Sequence, residues 1–303
     1  MTLPEKGSEK SSSPYWIVIS AVALILVLMG SAIEKKTADS SFVPNGPIQD
    51  EQSFGDYVVR IYQINDGFSE GSYEILRKGI RVHAAHGCKF RIGSIDEDDK
   101  SNSLITIGSD ITGNGRPNLV VSEWTGGAHC CFMVHVFEIG NRFRHIETIN
   151  EGHCGCAHFE NLDNDPALEF LMHDWTFAYW RTSFAGSPAP QVTLKYKGKK
   201  YGMAHDLMRK PGLPNDELVQ LANDIRASGK WEYNQPPVML WDRMLDLIYT
   251  GNMNQAWTLF ELSWPEGIGG KKDFLTAFKS QLALSDYWKD LQILNRKETQ
   301  QDE

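Results

Sequence analysis

The segment Asp110-Ile-Thr-Gly-Asn-Gly-Arg-Pro-Asn118, continued by Leu119-Val-Val121, decides the fold. It sets oxygen-bearing side chains at the first, third, fifth and ninth positions of a turn and then runs straight into an apolar strand. Sliding the chain along itself lays this segment on Asn161-Leu-Asp-Asn-Asp-Pro-Ala-Leu-Glu169, with Phe170-Leu-Met172 behind it. The same offset carries Glu123-Trp124-Thr125 onto Asp174-Trp175-Thr176. Two tryptophans in register mark an internal repeat of loop plus strand.

Around the repeat the chain is β-rich. Short runs of apolar, aromatic and β-branched residues, at Tyr57 to Ile64, Tyr73 to Leu76, Ile80 to His83, Leu104 to Ile107, Leu119 to Trp124, Met133 to Glu138 and Val192 to Tyr196, read as strands. Lys78-Gly79, Gly140-Asn141 and Lys197-Gly198 are hairpin signals between them. The predicted region is antiparallel.

Alternating oxygens on a tight turn wrap a hard cation, and calcium takes six to eight oxygens at flexible geometry. In the second loop the ligand set is the side chains of Asn161, Asp163, Asp165 and Glu169 with the carbonyl of Ala167. In the first it is Asp110, Thr112, Asn114 and Asn118 with the carbonyl of Arg116. Three carboxylates against one make the second loop the stronger calcium site. The first can instead be an Asx turn whose side chains bond the local backbone.

DITGNGRPNLVV (110–121) and NLDNDPALEFLM (161–172) resemble the calcium-loop-plus-strand core of FG-GAP or VCBS-type repeats, the units of integrin α-subunit propellers and of many bacterial surface proteins. The resemblance covers roughly a hundred residues of the β region. It implies β-meander blades, an extracytoplasmic location and calcium held by the residues just named. The chain departs from the pattern: Thr112, Asn114 and Asn118 replace the usual acids, Asn161 stands where Asp is typical, and no Phe-Gly leader precedes either loop. Residues 54–208 supply three units at most, whereas a propeller has about four to eight blades, so a partial propeller is expected.

The flanks complete the expected fold class: α+β, with an N-terminal transmembrane helix, an antiparallel β-meander (partial propeller-like) domain and a C-terminal small helical bundle. After a tail at 1–14, residues 15–33 (YWIVISAVALILVLMGSAI) carry no charge and are long enough to cross a bilayer, or to act as a secretory signal segment. Residues 34–53, rich in Ser, Pro, Asp, Gln and Gly, read as a stalk before the β domain at 54–208. A single-pass membrane protein follows, its bulk extracytoplasmic, at a bacterial periplasmic face or cell surface. Thirty Lys plus Arg against thirty-nine Asp plus Glu, a net charge of -9 over 303 residues, argue against nucleic acid as a partner.

All five cysteines (Cys88, Cys130, Cys131, Cys154, Cys156) lie in the β region, close to His83, His86, His129, His135, His153 and His158. Strand alternation puts His129, Cys131, Met133 and His135 on one face and makes a Cys131 bond to Cys154 or Cys156 attractive. Free thiols and a copper or zinc site are the competing readings.

From Pro214 the apolar period becomes helical over 214–296. Leu218, Leu221, Ala222 and Ile225 form one stripe behind Asn215 as a cap, and Leu240, Trp241, Met244, Leu245 and Ile248 a second behind Pro237. Residues 251–265 (GNMNQAWTLFELSWP) resemble half of a tetratricopeptide hairpin. The large aromatic surface of this tail needs cover, from the β domain or through self-association. No catalytic constellation is visible. The reading is a membrane-anchored extracytoplasmic binding or assembly module stabilised by calcium, with an unidentified protein partner and no enzyme activity. The alternative is an envelope metal-binding or thiol-redox protein built on the Cys and His cluster.

Overall fold

A computed structural model describes residues 41–64, 70–93, 105–127, 130–153 and 156–296. By internal contacts the chain divides into Met1–Ser41 and Phe42–Glu303, and the architecture below is that of the second unit.

Among the described residues three four-stranded antiparallel sheets follow one another along the chain. The first joins β1 (Ile48–Phe54), β2 (Tyr57–Tyr62), β3 (Gly71–Arg77) and β4 (Ile80–Gly87) in that order. The second joins β5 (Lys89–Ile92), β6 (Asn118–Gly127), β7 (Cys130–Ile139) and β8 (Phe143–Gly152), and the third β9 (His158–Glu160), β10 (Glu169–His173), β11 (Gln191–Tyr196) and β12 (Tyr201–Met203). The turn from β3 to β4 takes positive φ at both central residues, 51° at Lys78 and 76° at Gly79, which matches the right-handed twist of paired strands.

The second sheet is the middle layer. Its alternate residues Leu119, Val121, Phe137 and Ile139 share one core with Tyr57, Val59, Ile61, Tyr73 and Ile75 of the first sheet. Val120, Val134, Val136 and Ile149 point the other way, into a second core with Phe159, Phe170, Val192, Leu194 and Met203 of the third sheet. A period of two, apolar on both faces, is what burial between two layers demands.

That second core continues into the helices α1 (His205–Met208), α2 (Asn215–Ala227), α3 (Val238–Tyr249), α4 (Met253–Ser263), α5 (Lys271–Leu282) and α6 (Trp288–Leu294). Pro214 and Pro237 stand directly before α2 and α3, where a fixed φ and a missing N–H cost nothing. Asn215, expected as a cap, is the first helical residue instead. The tail's aromatic surface is covered by the chain itself. Phe177 and Trp180, in the loop after β10, pack on Phe278, Trp241 and Phe274. Asp174 pins the same junction: its Oδ2 accepts hydrogen bonds of 2.5 Å from the hydroxyls of Tyr249 and Ser285, and its Oδ1 accepts the Thr176 N–H at 2.8 Å.

The expected fold class needs correction. The protein is α+β with antiparallel sheets, but among the described residues no helix is long and apolar enough to cross a membrane. The longest has 13 residues, against the roughly 20 that a bilayer requires, and its outer face is polar. The segment 15–33 lies outside the described residues. Elsewhere β1 takes up the end of the stretch read as a stalk, β8 joins the second sheet unannounced, and residues 105–107, the described part of the strand expected at Leu104 to Ile107, form no strand.

Candidate functional site

The two loops of the repeat adopt related backbones. Position four is left-handed in both, with φ of 66° at Gly113 and 61° at Asn164. Position nine opens the following strand in both and turns its side chain back over the loop: Asn118 Oδ1 accepts the N–H of Ile111 at 3.0 Å, and Glu169 Oε2 accepts that of Leu162 at 2.8 Å. The loops also touch. Thr112 and Ala167 form an antiparallel bridge, and the Leu168 N–H donates to the Ile111 carbonyl at 3.0 Å. Glycine is required at 113, because a Cβ there would lie 2.5 Å from the Ala167 nitrogen.

Side-chain chemistry then separates them. In the first loop Asp110 accepts from the N–H groups of Asn114 and Gly115 and from the Thr112 hydroxyl. Asn118 Oδ1 takes the N–H and hydroxyl of Thr112 as well as Ile111, and Asn114 Oδ1 takes the Arg116 N–H. The Arg116 guanidinium reaches away to Glu138, at 3.0 Å. The Asp110, Asn114 and Asn118 oxygens of the expected ligand set thus accept from the loop's own donors and the Thr112 hydroxyl donates within the loop, the arrangement of an Asx turn rather than an open cation shell.

In the second loop Asp163, Asp165 and Glu169 each turn one oxygen to a common centre, all within 4.8 Å of one another. Their other oxygens hold the loop, accepting the N–H groups of Asp165, Ala167 and Leu162 respectively. At the centre stands a side chain that the sequence reading did not include. Lys195 Nζ, from β11, is in direct contact with Asp163 Oδ2, 2.6 Å from Asp165 Oδ2 and 3.3 Å from Glu169 Oε1. Glu169 is fully buried, and apart from this ion pair its Oε1 has no hydrogen-bond donor among the described residues. Hydrogen bonding to Lys195 holds the Asp163 carboxyl below its usual range, and the carboxylates of Asp163 and Asp165 push the Lys195 ammonium up. Asn161 faces inward: Oδ1 accepts the Asn164 N–H at 2.6 Å, and Nδ2 donates to the Asp165 carbonyl at 2.7 Å. The carboxylate triad suits calcium. With Lys195 Nζ among its oxygens and Asn161 turned to the loop, the set as it stands does not.

Strand pairing explains the lysine. The register that sets Phe170 of β10 against Leu194 of β11 brings Lys195 level with Glu169. Opposite charges facing each other across an antiparallel pair are mutually stabilising. The signal available in the sequence was a single lysine in an apolar strand far downstream of the loop.

The cysteines and histidines disperse. Cys130 and Cys131 are bonded to each other rather than either reaching Cys156, which is itself disulfide-bonded, and Cys88 is a free thiol. Histidines 83, 135 and 145 gather between the first two sheets around Phe137. There His135 Nε2 meets Glu123 at 2.9 Å, while Thr148 Oγ1 links His135 Nδ1 and His145 Nε2 at 2.9 and 3.0 Å. Among the described residues the acidic triad is the group of metal-type ligands that converges, and these imidazoles do not join one. His129 and Cys154 lie outside the described residues. A cleft of about 730 Å³ opens between β11 and helices α1 to α3, with Lys210, Glu217, Arg243 and Asp246 along it, away from the repeat loops.

No family model matches the chain, and no solved structure matches it. The chain is similar to a probable thylakoid lumen protein from Synechocystis sp., at 35% identity over 79 residues, which is 25% of this chain. It spans about a quarter of that relative's length (23%).

Proposed function

We propose that this protein is an extracytoplasmic binding or assembly module built on a pair of FG-GAP-like loops, recruiting a protein partner and carrying no reaction of its own. The observation that carries the reading is the bridge between Thr112 and Ala167: repeated loops that share their position-four and position-nine geometry lie edge to edge, as neighbouring copies of one structural unit do. Repeats of that kind present a rigid face to partners rather than a catalytic pocket. The location is supported by the lumenal relative and by the disulfide bonding of Cys130, Cys131 and Cys156, which an oxidising compartment sustains.

Crosslinking in intact cells through an amine-reactive, membrane-impermeant reagent tests both parts at once. The expected result is labelling of this chain outside the cytoplasm together with one recurrent protein neighbour. A chain that the reagent does not reach in intact cells and that is recovered with the cytoplasmic fraction contradicts the location. Labelling that yields the chain alone contradicts the partner.

A further inference from the structure

We infer that Lys195 is the resident cation of the second loop, taking the place that calcium has in FG-GAP-type repeats, so that this loop folds without a metal. An ammonium carries three N–H donors, and three carboxylates each offer it one oxygen. The second oxygen of each carboxylate is taken by a loop N–H, so one oxygen of each is left to face the ammonium. A calcium ion needs six to eight oxygens at 2.3–2.6 Å, and none could bind the same three oxygens while Nζ stays where it is. The remaining side-chain ligand expected from the sequence, Asn161 Oδ1, is held by the Asn164 N–H at 2.6 Å.

Burial gives the arrangement its consequence. Glu169 is fully buried and Lys195 is 21% exposed, so the pair sits where charge cannot simply be screened by water. Removing the ammonium leaves a buried carboxylate beside two others with no counter-charge, a strongly destabilising change. A divalent cation of suitable size could then enter. An internal ion pair thereby stands where a calcium ion would, and the lysine-free variant should acquire a calcium dependence. The inference does not rest on the proposed binding role; either can fail alone.

The test uses the full chain, with calcium alone as the probe. Thermal melts and calorimetric titrations are run in millimolar calcium or in chelator, on the wild type and on Lys195→Met. For the wild type the melting temperature should be the same in both and no saturable calcium heat should appear. Lys195→Met should melt lower than wild type in chelator, recover in calcium and bind one equivalent, because a ligand that binds the folded state alone stabilises it by mass action. Saturable calcium binding by the wild type that Asp163→Asn abolishes would overturn the inference. So would a Lys195→Met chain, folded or not, that calcium neither binds nor stabilises.

Discussion

Glu151 shows how far a single side chain can depart from its surface behaviour. It is the next-to-last residue of β8 with 5% exposure, its Oε2 has no hydrogen-bond donor among the described residues, and burial pushes its carboxyl up to about 8. A carboxyl whose folded value lies above its unfolded one binds more protons when folded, so stability falls as pH rises through the interval between them. The interval here runs from 4.5 to about 8. Glu151→Gln, neutral at every pH and nearly the same shape, should remove this decline, so the variant should be the more stable protein at pH near 8 and the two should converge below the unfolded value. Denaturant unfolding across that range checks it; parallel curves for the two proteins would contradict the assignment. At this scale the sequence was half legible. The acid triad could be read because ligand spacing is local, whereas Lys195 could not, because only the pairing of β10 with β11 brings it there.

Elements are where close approach counts. The two repeat loops can bridge only because position four of the first is glycine, with a left-handed φ of 66° and no Cβ to meet the backbone of the second. Gly113→Ala should therefore cost on the order of 2 kcal/mol or more, through strain and clash together. Gly115→Ala shares the positive φ but would meet nothing within 4 Å, so it should cost distinctly less. Equal losses in chemical unfolding would show that conformation alone, and not the contact between loops, sets the price. Several elements were legible from pattern: the helical stripes of α2 and α3 and the hairpin at Lys78-Gly79 stand where the periodicity and turn chemistry put them. Strand β8 escaped because Phe143-Arg-His-Ile-Glu-Thr-Ile-Asn mixes charged and polar residues, most of them half-buried, with a few apolar ones, as an edge strand does. Strand β1 escaped for the same reason, its seven residues IQDEQSF being mostly polar and exposed.

At the scale of the whole molecule the layering decides what the protein can present to a partner. The second sheet is buried on both faces, and the third sheet and the helices share one core, so the helical tail is part of the body and not an appended module. Asp174 is the polar anchor of that junction, with hydroxyls from α3 and from the turn after α5 both donating to one buried carboxylate oxygen. Periodicity revealed the stripes of the tail but not what would cover them, since docking depends on Phe177 and Trp180, in a loop with no regular pattern. Differential scanning calorimetry of the wild type and of Asp174→Ala tests this unity most directly. The wild type should unfold in one transition whose calorimetric and van't Hoff enthalpies agree, and the variant should keep a single transition at a temperature lower by several degrees. A wild type that unfolds in two steps, or a variant in which only one of two transitions moves, would show that the sheets and the helices are separate bodies.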